Sequence, residues 1–128
     1  MKSLFVAAIL AFVGNVSAQT FVKAQFIFFR TNEGKTYNPP KQFVITNQQE
    51  LSKLTKFLPG LGYSKGGLKP GGWDGWGTVR LMRAKGAGIA VFFSPDGKVF
   101  SMVGKQGDFP AAKGFKDYLL GIEKQAKQ

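Results

Sequence analysis

The chain has 128 residues, no cysteine and no histidine, and a formal net charge of +11. Those two absences exclude a disulfide framework, thiolate chemistry, Ser-His-Asp or Cys-His catalysis and nearly all zinc, copper and non-haem iron sites. The length suits one domain with one core, and the basic excess favours acidic or polyanionic partners.

Residues 1–18, MKSLFVAAILAFVGNVSA, read as a signal peptide. Lys2 supplies the positive start, Leu4 to Val13 the apolar stretch, and Val16-Ser17-Ala18 the small-residue cleavage site. The apolar run falls short of the about 20 residues that span a bilayer. The expectation is an exported domain, residues 19–128, periplasmic or extracellular after cleavage following Ala18, with no transmembrane segment in the mature chain. Lacking cysteine, it also lacks the residue a lipoprotein anchor requires.

From Thr20 to Arg30, TFVKAQFIFFR alternates early and turns apolar on both faces later, as a strand entering the middle of a sheet does. Val22, Ala24, Phe26 and Phe28 share one face; Phe21, Lys23, Gln25, Ile27 and Phe29 share the other. The polar TNEGKTYNPP reads as a turn or long hairpin loop, and Gln42 to Thr46 as a second strand. Asn47 with Glu50 three residues on starts a helix. Leu51, Leu54 and Leu58 line one side of it, Lys53 and Lys56 the other, and Pro59-Gly60 ends it.

The stretch 59–77, PGLGYSKGGLKPGGWDGWG, is too rich in glycine for helix or strand, yet holds Tyr63, Trp73 and Trp76 beside Lys65 and Lys69. Loops of that length in small domains are mostly functional or disordered, and tryptophan is a poor choice for disorder. Two readings stand: the aromatics form a binding surface, or they turn back and cap the core. Asp74, between two tryptophans, has no ready structural role. Residues 41–85 concentrate the charge, with eight basic residues, Arg80 among them, against Glu50 and Asp74.

Three strands follow. Thr78 to Arg83 points Val79 and Leu81 inward if Thr78 and Arg80 face out, and Ile89, Val91 and Phe93 form an apolar face. Ser94-Pro95-Asp96-Gly97 is a β-turn, and Val99 to Val103 the last strand, so the three make an antiparallel meander. Asp108 or Phe109 is the expected N-cap of a closing helix with Pro110 in its first turn and Phe115, Tyr118, Leu119, Ile122 and Ala126 as its stripe. The core is expected around Phe26, Phe28, Val91, Phe93, Tyr118 and Leu119.

The order β-β-α-β-β-β-α predicts a single two-layer α+β domain, with about five antiparallel strands and the helices on one face. It resembles PAS or profilin-like topology, whose last three strands form a meander and whose first strand sits centrally. That likeness is one of topology and implies no function.

For chemistry, the sequence nominates no metal site and no cofactor. Asp96 and Asp108 are explained by turn and cap, and no second carboxylate pairs with Asp74 for glycosidase work. GGLKPGG lacks the spacing of a phosphate-binding loop. The reading that remains is a non-enzymatic binding protein. Its candidate residues are Lys53, Lys56, Tyr63, Lys65, Lys69, Trp73, Asp74, Trp76 and Arg80, and its partner an acidic protein or an anionic envelope component. No specific nucleic-acid motif is present. A structural envelope protein without a dedicated site, or a carboxylate-based hydrolase, are the alternatives.

Overall fold

In a computed structural model, residues 21–61, 75–104 and 107–128 are described. The elements are β1 (Lys23–Arg30), β2 (Thr36–Ile45), α1 (Gln48–Lys56), β3 (Gly77–Met82), β4 (Ile89–Phe93), β5 (Val99–Met102), β6 (Phe109–Pro110) and α2 (Phe115–Gln125). They build one α+β domain with a six-stranded antiparallel sheet in the order β2-β1-β3-β4-β5-β6. The sheet has one strand more than expected. β1 lies inside it and β3-β4-β5 form the meander.

Period-2 alternation places the core in cross-strand rows. One row runs Ile45, Ala24, Leu81, Ile89; the next Phe43, Phe26, Val79, Val91, Met102. A third runs Phe28, Gly77, Phe93, Phe100, Phe109. Gly77 keeps the third row close: a Cβ there would collide with the Ile27 carbonyl oxygen. Over the gap it leaves, Phe28 and Phe93 meet edge-on with centroids 5.7 Å apart.

Leu51 and Leu54 of α1 and Phe115, Leu119 and Ile122 of α2 join this same cluster, so both helices cover one face of the sheet. Of the expected core, Phe26, Phe28, Val91, Phe93 and Leu119 are buried, and Tyr118 packs against them half-buried. Val22 does not share their face: it is 44% exposed, while Phe21 beside it is fully buried.

Asn47 caps α1 as expected, its side chain accepting from the backbone N–H groups of Gln49 and Glu50 at 2.8 and 3.1 Å. Two boundaries differ from the sequence reading. β2 starts at Thr36 rather than Gln42, reaching back through Asn38-Pro39-Pro40, where the Asn38–Pro39 bond is cis. Register explains the tolerance: Phe28 pairs with Lys41 and Arg30 with Thr36, so the prolines fall in a bulge opposite Phe29. β2 is moreover an edge strand, where a missing N–H costs little.

The second difference is the start of α2. Neither Asp108 nor Phe109 is its N-cap. Phe109–Pro110 instead pair with Val99–Phe100 as β6, and the Phe109 ring stacks on Phe100 at 5.6 Å. Burial of that ring outweighs an early helix start, and the helix begins after Gly114, at φ +92.

Candidate functional site

The sequence-nominated residues fall into three groups. Tyr63, Lys65, Lys69, Trp73 and Asp74 lie outside the described residues. Lys53 and Lys56 are exposed in the last turn of α1, with the Lys53 ammonium 5.7 Å from the centre of the Tyr118 ring. Arg80 is exposed on the opposite layer, on the side of the sheet the helices do not cover.

Trp76, expected among the binding residues, belongs to the core. It is fully buried, with centroids 5.9 Å from Phe28 and 5.7 Å from Phe93. Its backbone extends the ladder, donating to the Phe93 carbonyl and accepting from Phe29. Its Nε1 donates to Glu123 Oε2 at 3.0 Å. Burial and a hydrogen bond to the same carboxylate raise the Tyr37 phenol above its usual range. Glu123 thus bonds Trp76 and also bears on the Tyr37 phenol. For this tryptophan the core-capping alternative holds.

The remaining chemistry is sparse. Asp96 accepts from Ser94 Oγ at 2.6 Å and from the Lys98 N–H at 3.0 Å, the turn role the sequence assigned it. A groove of about 410 Å³ opens between the end of β2, the start of α1 and the end of α2. Its lining includes Phe43, Ile45 and Ile122, and its one charged group is Glu50. A lone carboxylate gives no acid–base pair.

Register points instead to the uncovered sheet face. One outward row runs Val44, Gln25, Arg80, Ala90, and is continued by Val103, whose N–H donates to the Ala90 carbonyl. The next runs Gln42, Ile27, Thr78, Phe92, Ser101. Lys23 opens the face opposite Met82. Val44, Phe92 and Val103 are 46%, 40% and 65% exposed, among the largest apolar exposures of the described residues. Glu and Asp occupy none of these outward positions.

The polar groups on this face are largely turned on each other. Gln25 Nε2 donates to Gln42 Oε1 at 3.0 Å, and Thr78 is buried. Beyond β3, the Arg83 guanidinium lies 5.1 Å from the centre of the Phe21 ring and donates to the Ala87 carbonyl. Lys85 is exposed in the same hairpin.

The helical layer differs in kind. Its lysines, Lys53, Lys56, Lys116 and Lys124, are interspersed with Glu50, Asp117 and Glu123. Arg80 and the pair Lys53/Lys56 therefore cannot form one site. Lys23, Ile27, Val44, Phe92 and Val103 went unnominated from sequence, although the outward positions of β1 and β3 were legible there. The signal was the pooled content of those positions, which needs the strand order to assemble.

The framework is thus a two-layer α+β domain with one sheet face that is cationic and apolar and, among the described residues, carries no carboxylate at its outward positions. No family model, curated protein or solved structure matches the chain.

Proposed function

We propose that this is an exported, non-enzymatic binding protein that engages an acidic protein or an anionic envelope component through its uncovered sheet face. The observation that carries this reading is the composition of that face: Lys23 and Arg80 stand among Ile27, Val44, Phe92 and Val103, with no carboxylate at the outward positions. Desolvated apolar area supplies affinity, while same-sign charge selects and steers an anionic partner. The lack of histidine and cysteine in the whole chain supports a non-enzymatic role. Export is supported by the leader-like residues 1–18.

The test is retention on immobilised heparin, a soluble polyanion in tethered form, under a salt gradient. Lys23→Glu with Arg80→Glu is expected to elute at markedly lower salt than wild type, and Lys53→Glu with Lys56→Glu to shift less. Equal shifts of the two pairs would sink the assignment to the sheet face. N-terminal sequencing of exported material should read from Gln19; a retained Met1 refutes export by cleavage.

A further inference from the structure

We infer that the occupant of the uncovered sheet face is the surface of an anionic lipid bilayer, an inference that rests on the anionic-partner reading above. Three observations select a bilayer over a protein.

The first is breadth. Val44 and Val103 stand at opposite ends of one cross-strand row that spans β2, β1, β3, β4 and the end of β5. Four strand spacings separate them by about 19 Å, with Arg80 near the middle. A ligand seated in a pocket touches one end of that row; an extended surface is needed to reach both.

The second is the single sign of the charge. Protein interfaces mix charges and pair hydrogen-bonding groups across the contact. Here the two glutamine amides bond to each other, and Arg83 is engaged within its own hairpin. Beside the Ser101 hydroxyl, what the face offers a partner is mainly cations and apolar side chains, which is what an anionic headgroup layer over hydrocarbon takes up.

The third is the order of groups along the strands. Lys23, Arg80 and Lys85 lie towards the β3–β4 hairpin end, and Ile27 and Phe92 lie further from it in the next row. Long Lys and Arg stems let their charged ends reach phosphates while the aliphatic and phenyl groups sit deeper. No helix among the described residues is long and apolar enough to cross a membrane, so the contact described is one of lying on the surface.

Sedimentation with vesicles tests the inference. The full chain and the chain from Gln19 onward, which keeps every described residue, are mixed with phosphatidylglycerol–phosphatidylcholine vesicles or with phosphatidylcholine alone. Both forms are expected to sediment with the anionic vesicles, less so as salt rises. Arg80→Gln and Lys23→Gln should each lower the partition coefficient about five-fold. Phe92→Ser should lower it several-fold, and Lys53→Gln with Lys56→Gln should leave it nearly unchanged. Circular-dichroism melts confirm that each variant is folded. Sedimentation indifferent to the Lys23, Arg80 and Phe92 changes overturns the inference, as does binding by the full chain alone, which would be the leader's. If heparin retention depends on the face but anionic vesicles are not bound, the bilayer inference falls and the anionic-partner reading stands. If heparin retention also ignores the face, both fall.

Discussion

Replacing Trp76 by alanine removes the largest of the fully buried side chains from among Phe28, Phe93 and the sheet backbone. Emptying an aromatic core site costs about 3–5 kcal/mol. The indole N–H bond to Glu123 adds about 1 kcal/mol or somewhat more, at the low end for a charged acceptor because Glu123 is half-exposed. The sum, about 4–6 kcal/mol, is a large share of the about 5–15 kcal/mol that holds a small domain together. Urea unfolding followed by far-ultraviolet circular dichroism reads it directly. With a urea slope of about 1–3 kcal/mol/M, the midpoint should fall by about 1.3 M or more, or the variant should be unfolded without urea. Trp76→Phe keeps the ring contacts and loses the donor, so it should cost about 1–3 kcal/mol. In a double-mutant cycle with Glu123→Gln, the two changes should be non-additive. A Trp76→Ala protein within about 1 kcal/mol of wild type would refute the core assignment and return this ring to the candidate binding residues.

Tyr118 Oη is buried with no hydrogen-bond partner among the described residues, so Tyr118→Phe should raise stability by about 1 kcal/mol or more, measured as a higher melting temperature. Burial, helped by the charge of Glu50, raises the Tyr118 phenol well above its usual range. The folded form therefore holds its proton longer than the unfolded one, and stability should decline as pH rises above about 10, less so in the phenylalanine variant. Gly77→Ala should unfold the domain or lower its midpoint steeply, since the new methyl would meet the Ile27 carbonyl oxygen and the Phe28 Cα; an unchanged melt would disprove the close approach of β1 and β3. The Ser94 hydroxyl, with the Lys98 N–H, holds the Asp96 carboxyl below its ordinary value. Its contribution is present above the ordinary carboxylate pKa of about 4 and fades as pH falls through the depressed value, so the stability gap between wild type and Asp96→Asn should close on acidification.

What the sequence disclosed followed from local pattern. The alternation in AQFIFF, the Asn47 cap and the Pro-Asp turn each depend on neighbours a few residues away, and each recurs in the fold. What it concealed depended on distant neighbours. Asn-Pro-Pro reads as a turn unless one knows that β2 is the sheet's edge and that a bulge lies opposite Phe29. Asp-Phe-Pro reads as a helix start unless Phe100 is known to wait across the strand for the Phe109 ring. Trp76 looked available because its loop is polar, yet its position one residue before β3 commits it to the ladder. The outward residues of β1 and β3 were legible from alternation, and joined Val44, Phe92 and Val103 in one surface once the order β2-β1-β3-β4-β5 set them side by side.

The pairing of Lys127 with Gln42 has a bearing on self-association. Gln42 turns its N–H and carbonyl away from β1, and Lys127 takes both, at 2.8 and 3.0 Å. Gln128 Nε2 adds a bond to the Pro39 carbonyl. The outermost strand is thereby occupied by Lys127 and Gln128 of the same chain and broken by proline and a bulge, and the far margin of the sheet is the two-residue β6 ending in Pro110. A second molecule seeking to prolong the sheet finds no straight, unpaired template at either margin. Two copies can crowd together on one surface, broad faces down, without their sheets fusing edge to edge.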